Sequence, residues 1–156
     1  MSFLPQVHNT HHPIDMMAYY EDQKPEAAKY AAAFRKDRLP KFVQHFERQL
    51  RDDGWLYASG PTYVDLALWV LVSGLKFAFP NALERTKDTA PKLIKHWKLI
   101  QSSPRLQTCE SPGGPAAVLP QALAHGHLFA DLNSDRHLEF SDGIFRHYDE
   151  LDPKEG

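Results

Sequence analysis

Between Thr62 and Phe79 the chain reads Thr-Tyr-Val-Asp-Leu-Ala-Leu-Trp-Val-Leu-Val-Ser-Gly-Leu-Lys-Phe-Ala-Phe, and this run restricts the possible folds most. Apolar residues (Leu66, Leu68, Trp69, Leu71, Val72, Leu75, Phe79) fall nearly all round a helix, so the sequence predicts a helix buried on most sides. Gly60-Pro61 makes the turn before it and Pro80 stops it. Thr62 and Asp65 have the spacing of a capping box. The threonine hydroxyl accepts from the N–H three residues on, and the acid reaches back to the N-cap N–H. Left unpaired and buried, each such donor would cost about 1–3 kcal/mol. The unbroken apolar stretch, Leu66 to Val72, falls far short of the roughly 20 residues a bilayer requires. No membrane is expected as a partner.

The other strong periodicities are helical too. Ala27, Tyr30, Ala31, Phe34, Leu39, Phe42, Val43, Phe46 and Leu50 recur every three or four residues. With Pro25 in the first turn, they predict one long helix over 25–52, kinked or broken at Pro40. A short helical turn is expected over 81–87. A helix over 90–101, opened by Pro91, has Leu93, Ile94, Trp97, Leu99 and Ile100 on its inner side, and a last short helix runs from Leu106 to Cys109. Strands are few or absent. The fold class is all-α, a helical bundle.

Residues 111–134 depart from this pattern: they carry turn punctuation, weak apolar content, and Asp131 as their one charged residue. A structureless loop of that length is unusual inside a domain. The organisation is therefore a helical domain at 7–110, a flexible insertion at 111–134 and a C-terminal tail at 135–156. Removing the insertion would join Cys109-Glu110-Ser111 to Arg136-His137-Leu138, as expected of a retained intron or a gene-model error.

A net charge of −2 argues against nucleic acid, which needs clustered Lys and Arg. A single cysteine, Cys109, forbids an internal disulfide and fits a reducing compartment. No secretory signal is expected of Met1-Ser2-Phe3-Leu4-Pro5. These features predict a cytoplasmic protein.

Trp55-Leu56, Gly60 and Thr62-Tyr63-Val64-Asp65-Leu66-Ala67-Leu68 resemble the buried-helix signature of the glutathione S-transferase C-terminal domain. More specifically, the chain is similar to a sigma-like family of cytosolic transferases. That likeness is carried by His11-His12-Pro13-Ile14, Tyr19-Tyr20-Glu21-Asp22-Gln23-Lys24, Arg38-Leu39-Pro40-Lys41-Phe42, Gly74-Leu75-Lys76-Phe77-Ala78-Phe79-Pro80 and Gly143-Ile144-Phe145-Arg146-His147-Tyr148. The resemblance implies a helical domain that normally follows a thioredoxin-like domain. That first half supplies the glutathione pocket and the hydroxyl that stabilises the thiolate nucleophile. It also implies a homodimer, a small apolar electrophile, and glutathione as co-substrate with no tightly bound cofactor. No catalytic residue is expected in this chain, which is predicted to be inactive alone. The family's first long helix should begin well before His8, so Met1 to Gln6 look like a substitute start.

Three positions depart from the family pattern. Asn9 stands where the family tends to place an acid facing glutathione across the dimer, and an amide removes that charge partner. Pro61 replaces the aliphatic residue that usually staples to Leu66. The third departure is the insertion.

The substrate-binding residues expected are His8, Asn9, His12, Met16 and Tyr19. His8, His11 and His12 are spaced to share one side of a helix lining a cleft. No metal is expected there, because zinc sites usually add Cys or acids and no CxxC or HExxH is present. Met16, Tyr19 and Tyr20 are candidates for the wall of an apolar acceptor pocket. Cys109 reads as a small buried residue. Tyr63, Trp69, Phe77 and Phe79 read as core, and Arg35, Lys36, Arg38 and Lys41 as a solvated face. The alternative function is a non-catalytic helical interaction module; a third reading is a gene model whose product folds poorly.

Overall fold

The computed structural model describes residues 3–104, 139–140 and 145–154. Helices α1 (Phe3–His8), α2 (Tyr20–Ala33), α3 (Leu39–Gln49), α4 (Tyr63–Ala78), α5 (Pro80–Thr86) and α6 (Pro91–Gln101) make up more than half of it. Strands β1 (Glu139–Phe140) and β2 (Phe145–Arg146) form a two-residue antiparallel pair, Glu139 opposite Arg146 and Phe140 opposite Phe145. The all-α expectation holds. The expected Leu106–Cys109 helix, Cys109 itself and the 111–134 insertion lie outside the described residues.

The long helix over 25–52 is corrected at its start and at its break. Helix α2 begins at Tyr20, five residues before Pro25, which the helix accommodates inside its span. Tyr20 is buried because its ring stacks on Tyr148 at 3.8 Å, a contact from the far end of the chain. The break is a π-helical turn over Phe34–Arg38, just before Pro40, which sits in the first turn of α3. Proline has no N–H to give the carbonyl four residues back, and a wider turn is one way past that gap.

Helix α4 runs through the middle of the bundle, packed against α5, α6 and β2. Its capping box closes in both directions, and Thr62 Oγ1 accepts from the Val64 N–H at 3.3 Å. Asp65, fully buried, accepts from the Thr62 N–H at 2.8 Å and the Thr62 hydroxyl at 2.9 Å. It also accepts from the Leu56 N–H at 3.0 Å, tying the 51–61 loop to the helix start. Beneath this, buried His96 sets Nδ1 2.8 Å from the Gly54 carbonyl and Nε2 3.3 Å from that of Asp65.

Burial of α4 is less complete than its composition predicts. Leu68, Trp69, Val72, Leu75 and Ala78 are buried, but Tyr63 is 83% exposed and Leu66 is exposed as well. Tyr63 is therefore not core, although Trp69 and Phe79 are and Phe77 packs partly against it. Pro61 is exposed too, in keeping with the missing aliphatic staple. On α6, Leu99 is exposed rather than on the inner side. The two indoles bridge α4 and α6: Trp69 Nε1 donates to Gln101 Oε1 at 3.2 Å and Trp97 Nε1 to Ser73 Oγ at 2.9 Å.

Two more helix starts are closed by carboxylates from elsewhere in the chain. Glu47 on α3 accepts from the Lys92 and Leu93 N–H groups of α6 at 3.1 and 2.9 Å. Asp152 accepts from Asn81 and Ala82 of α5 at 2.7 and 3.1 Å. In each case a negative group meets the positive helix end and satisfies its orphan donors. The tail is thus built into the fold. Phe145, Tyr148 and Leu151 are buried, and Phe145 lies where a Cβ on Gly74 would stand, within 2.5 Å of its ring.

Candidate functional site

The loop between α1 and α2 presents apolar side chains on a backbone that is held still. Gln23, buried on α2, clamps it from beneath. Its Oε1 accepts from the Ile14 and Asp15 N–H groups at 3.1 and 3.4 Å, and its Nε2 donates to the Asp15 and Ala18 carbonyls at 2.9 and 3.3 Å. Asp15 Oδ1 takes the Met17 N–H at 2.8 Å. Ile14, Met16, Met17 and Tyr19 nevertheless face solvent, Met16 at 70% and Tyr19 at 81% exposed. Exposed apolar side chains gathered on one short loop make it the candidate binding surface.

Next to this loop the three histidines come together. Helix α1 ends at His8, so His11 and His12 lie in the turn after it and not on a continuous helix; both N–H groups bond the His8 carbonyl at 3.2 Å. The rings still meet, with centroids 4.9 Å apart for His8–His11 and His11–His12 and 5.2 Å for His8–His12. One ligand nitrogen from each lies within 4.8 Å of the other two. His11 and His12 are buried, and His8 and Asn9 are half-exposed. Around His12, Gln23 Nε2 stands 3.0 Å from Nδ1, and Arg146 Nη1 donates to Nε2 at 3.2 Å. Burial first, then the neighbouring His12 and Arg146, lowers the His8 pKa below its ordinary value and favours the neutral ring.

Of the expected site residues, then, the structure puts Met16 and Tyr19 on the surface, His8 and Asn9 at its edge, and His12 inside. Tyr20 is not a pocket wall. Its ring is covered by Tyr148 and its hydroxyl donates to Glu150 at 3.1 Å. Burial and then Glu150 push the Tyr20 hydroxyl well above its usual range. Burial would raise Glu150, but hydrogen bonds from its own N–H, from Lys24 and from Tyr20 outweigh it and hold the carboxyl low. This tail contact was missed because its partners stand some 130 residues apart.

A second surface feature lies on α3 and the π-helical turn. Arg38, Lys41, His45 and Arg48, spaced by three or four, line a depression of about 310 Å³ floored by Phe42. Arg38 and Lys41 belong to the solvated basic face expected of Arg35, Lys36, Arg38 and Lys41, and Lys36 is exposed as well, while His45 and Arg48 were not part of that expectation. Arg35 differs, since it donates to the Leu151 carbonyl and anchors the tail. Among the described residues no single helix is long and apolar enough to cross a membrane.

The family model for the C-terminal domain of glutathione S-transferase matches residues 8–109, from the last residue of α1 through the candidate loop and helices α2 to α6. No curated protein matches the chain.

Proposed function

We infer function from family: the chain belongs to the glutathione S-transferase C-terminal domain family. It serves as the electrophile-side half of a glutathione-conjugating transferase, with Met16 and Tyr19 as the wall for a small apolar acceptor and His8, Asn9 and His12 at its polar edge. The co-substrate, glutathione, is held by a thioredoxin-like domain, with this domain also contributing to a homodimer interface in the cytoplasm. The single observation that carries this reading is the Ile14–Tyr19 loop, apolar outside and pinned inside by Gln23.

The test is binding of the neutral fluorescent probe N-phenyl-1-naphthylamine to the purified chain. Saturable binding weakened severalfold by Met16→Ala and by Tyr19→Ala supports the reading; binding unaffected by either defeats it. The chain alone is expected to conjugate glutathione to 1-chloro-2,4-dinitrobenzene no faster than the uncatalysed reaction. Turnover above that background would overturn the assignment of catalysis to a separate half.

The basic stripe favours a second reading, a non-catalytic helical interaction module for an acidic partner. Salt-sensitive binding of a poly-glutamate peptide, lost in Lys41→Glu and Arg48→Glu, would support it, while the neutral probe does not respond to that stripe.

A further inference from the structure

One ligand nitrogen from each of His8, His11 and His12 lies within 4.8 Å of the other two, close enough for a single ion to join them. A single ion bound by imidazole nitrogens at about 2.0–2.1 Å in tetrahedral geometry needs those nitrogens about 3.4 Å apart. The nitrogens lie within 4.8 Å of one another, so an ion would have to draw them together, and His8, at the half-exposed end of α1, has the most room to move. The donor set decides the class of ion. It is all nitrogen, with no carboxylate or thiolate joining the three among the described residues. Neutral imidazoles suit zinc, copper and nickel rather than the oxygen-seeking calcium or magnesium. Three protein ligands also leave a coordination position open.

The cluster already faces one cation. Arg146 of β2 directs its guanidinium at His12 Nε2 from 3.2 Å, and the Gln23 amide nitrogen stands on the other side of the ring. A neutral imidazole has a single lone pair, and in this arrangement the Arg146 guanidinium takes the one at Nε2. An arginine in this place is what a metal ion would have to displace.

We propose that His8, His11 and His12 form a site for a borderline transition-metal ion such as Zn²⁺, with Arg146 as the cation that holds the place when the metal is absent. The site shares His8 and His12 with the polar edge proposed above, but its argument rests on the imidazole cluster and Arg146 alone and is tested by metal binding, not by acceptor binding. Its consequence is an exchange: the ion joins the end of α1 to the turn before α2 and releases Arg146 from His12.

The experiment is titration of the full, untagged chain with Co²⁺ followed by its visible d–d absorption, then displacement with Zn²⁺. One ion per chain is expected. His8→Ala, at a half-exposed position that leaves the core intact, weakens binding at least tenfold. Arg146→Ala tightens it, since the competitor is gone. Zn²⁺ raises the melting temperature of the wild-type chain and not of His8→Ala, as expected when a ligand binds only the folded state. Absence of a saturable band, or Co²⁺ affinity unchanged in His8→Ala, would overturn the site. Affinity unchanged or lowered in Arg146→Ala would overturn the exchange.

Discussion

Replacing Asp65 by asparagine changes almost no volume and tests how α4 is started. In the native chain one carboxylate oxygen takes the Leu56 N–H and the other takes the Thr62 N–H and hydroxyl. An amide keeps one acceptor and turns an NH₂ toward a backbone donor at the other. One buried N–H is then unsatisfied, at a cost of about 1–3 kcal/mol. Asp65→Ala removes both acceptors and strands two backbone donors, for about 2–6 kcal/mol on the same scale. Thr62→Ala loses the hydroxyl that accepts from Val64 and donates to Asp65, leaves the backbone bonds to Asp65 in place, and should cost about 0.5–2 kcal/mol. The expected order of destabilisation is Asp65→Ala, then Asp65→Asn, then Thr62→Ala. For a chain of this size each kcal/mol moves the melting temperature by about 2–4 °C, so the asparagine variant should melt about 2–12 °C lower. Urea unfolding monitored by circular dichroism gives the free energies. An asparagine variant as stable as the wild type, or a larger loss from Thr62→Ala than from Asp65→Ala, would refute this account of the helix start.

Other perturbations have equally direct readouts. Gly74→Ala drives a methyl group into the Phe145 ring, and overpacking of this kind costs about 1–3 kcal/mol; the double variant with Phe145→Leu should recover part of the loss, and simple additivity in urea melts would contradict the contact. Tyr20→Phe keeps the stack on Tyr148 but loses the bond to Glu150, for about 0.5–1.5 kcal/mol; no change in stability would mean the tail is not held there. His8 has a folded pKa below its unfolded value, so the unfolded chain binds more protons between those two values. Stability should therefore fall as pH drops below about 6.5, and His8→Gln should flatten that slope in melts at pH 7.5 and 5.5; an unchanged slope counts against the burial of His8.

How much could be read from the chain depended on how local the cause was. The Thr62–Asp65 box, the Pro80 stop and the Pro91 start of α6 are decided within a few residues, and each was legible. The start of α2 was not, because Tyr20 is held by Tyr148 rather than by a local cap; Tyr19, at the N-cap, makes no side-chain capping bond. Glu47 and Asp152 look like ordinary surface acids in sequence, and their roles as caps for α6 and α5 come from tertiary approach. Gly74 reads as a weak point in a helix until Phe145 is seen against it. At the candidate site, Met16 and Tyr19 read in sequence as a pocket wall, their exposure on a loop did not show, and Gln23 beneath them gave no signal beyond its type. The histidine spacing pointed to a shared face, but their closeness depends on the turn after α1, and Arg146 arrives from the far end of the chain.

The central claim is that the Gln23-pinned loop is the apolar acceptor surface of a glutathione S-transferase C-terminal domain. Amide chemical-shift mapping with N-phenyl-1-naphthylamine tests it most directly. The account predicts perturbations centred on Ile14–Tyr19 and reaching His8 and Asn9. Shifts centred on exposed Tyr63 and Leu66 instead, or none at saturating probe, would contradict it.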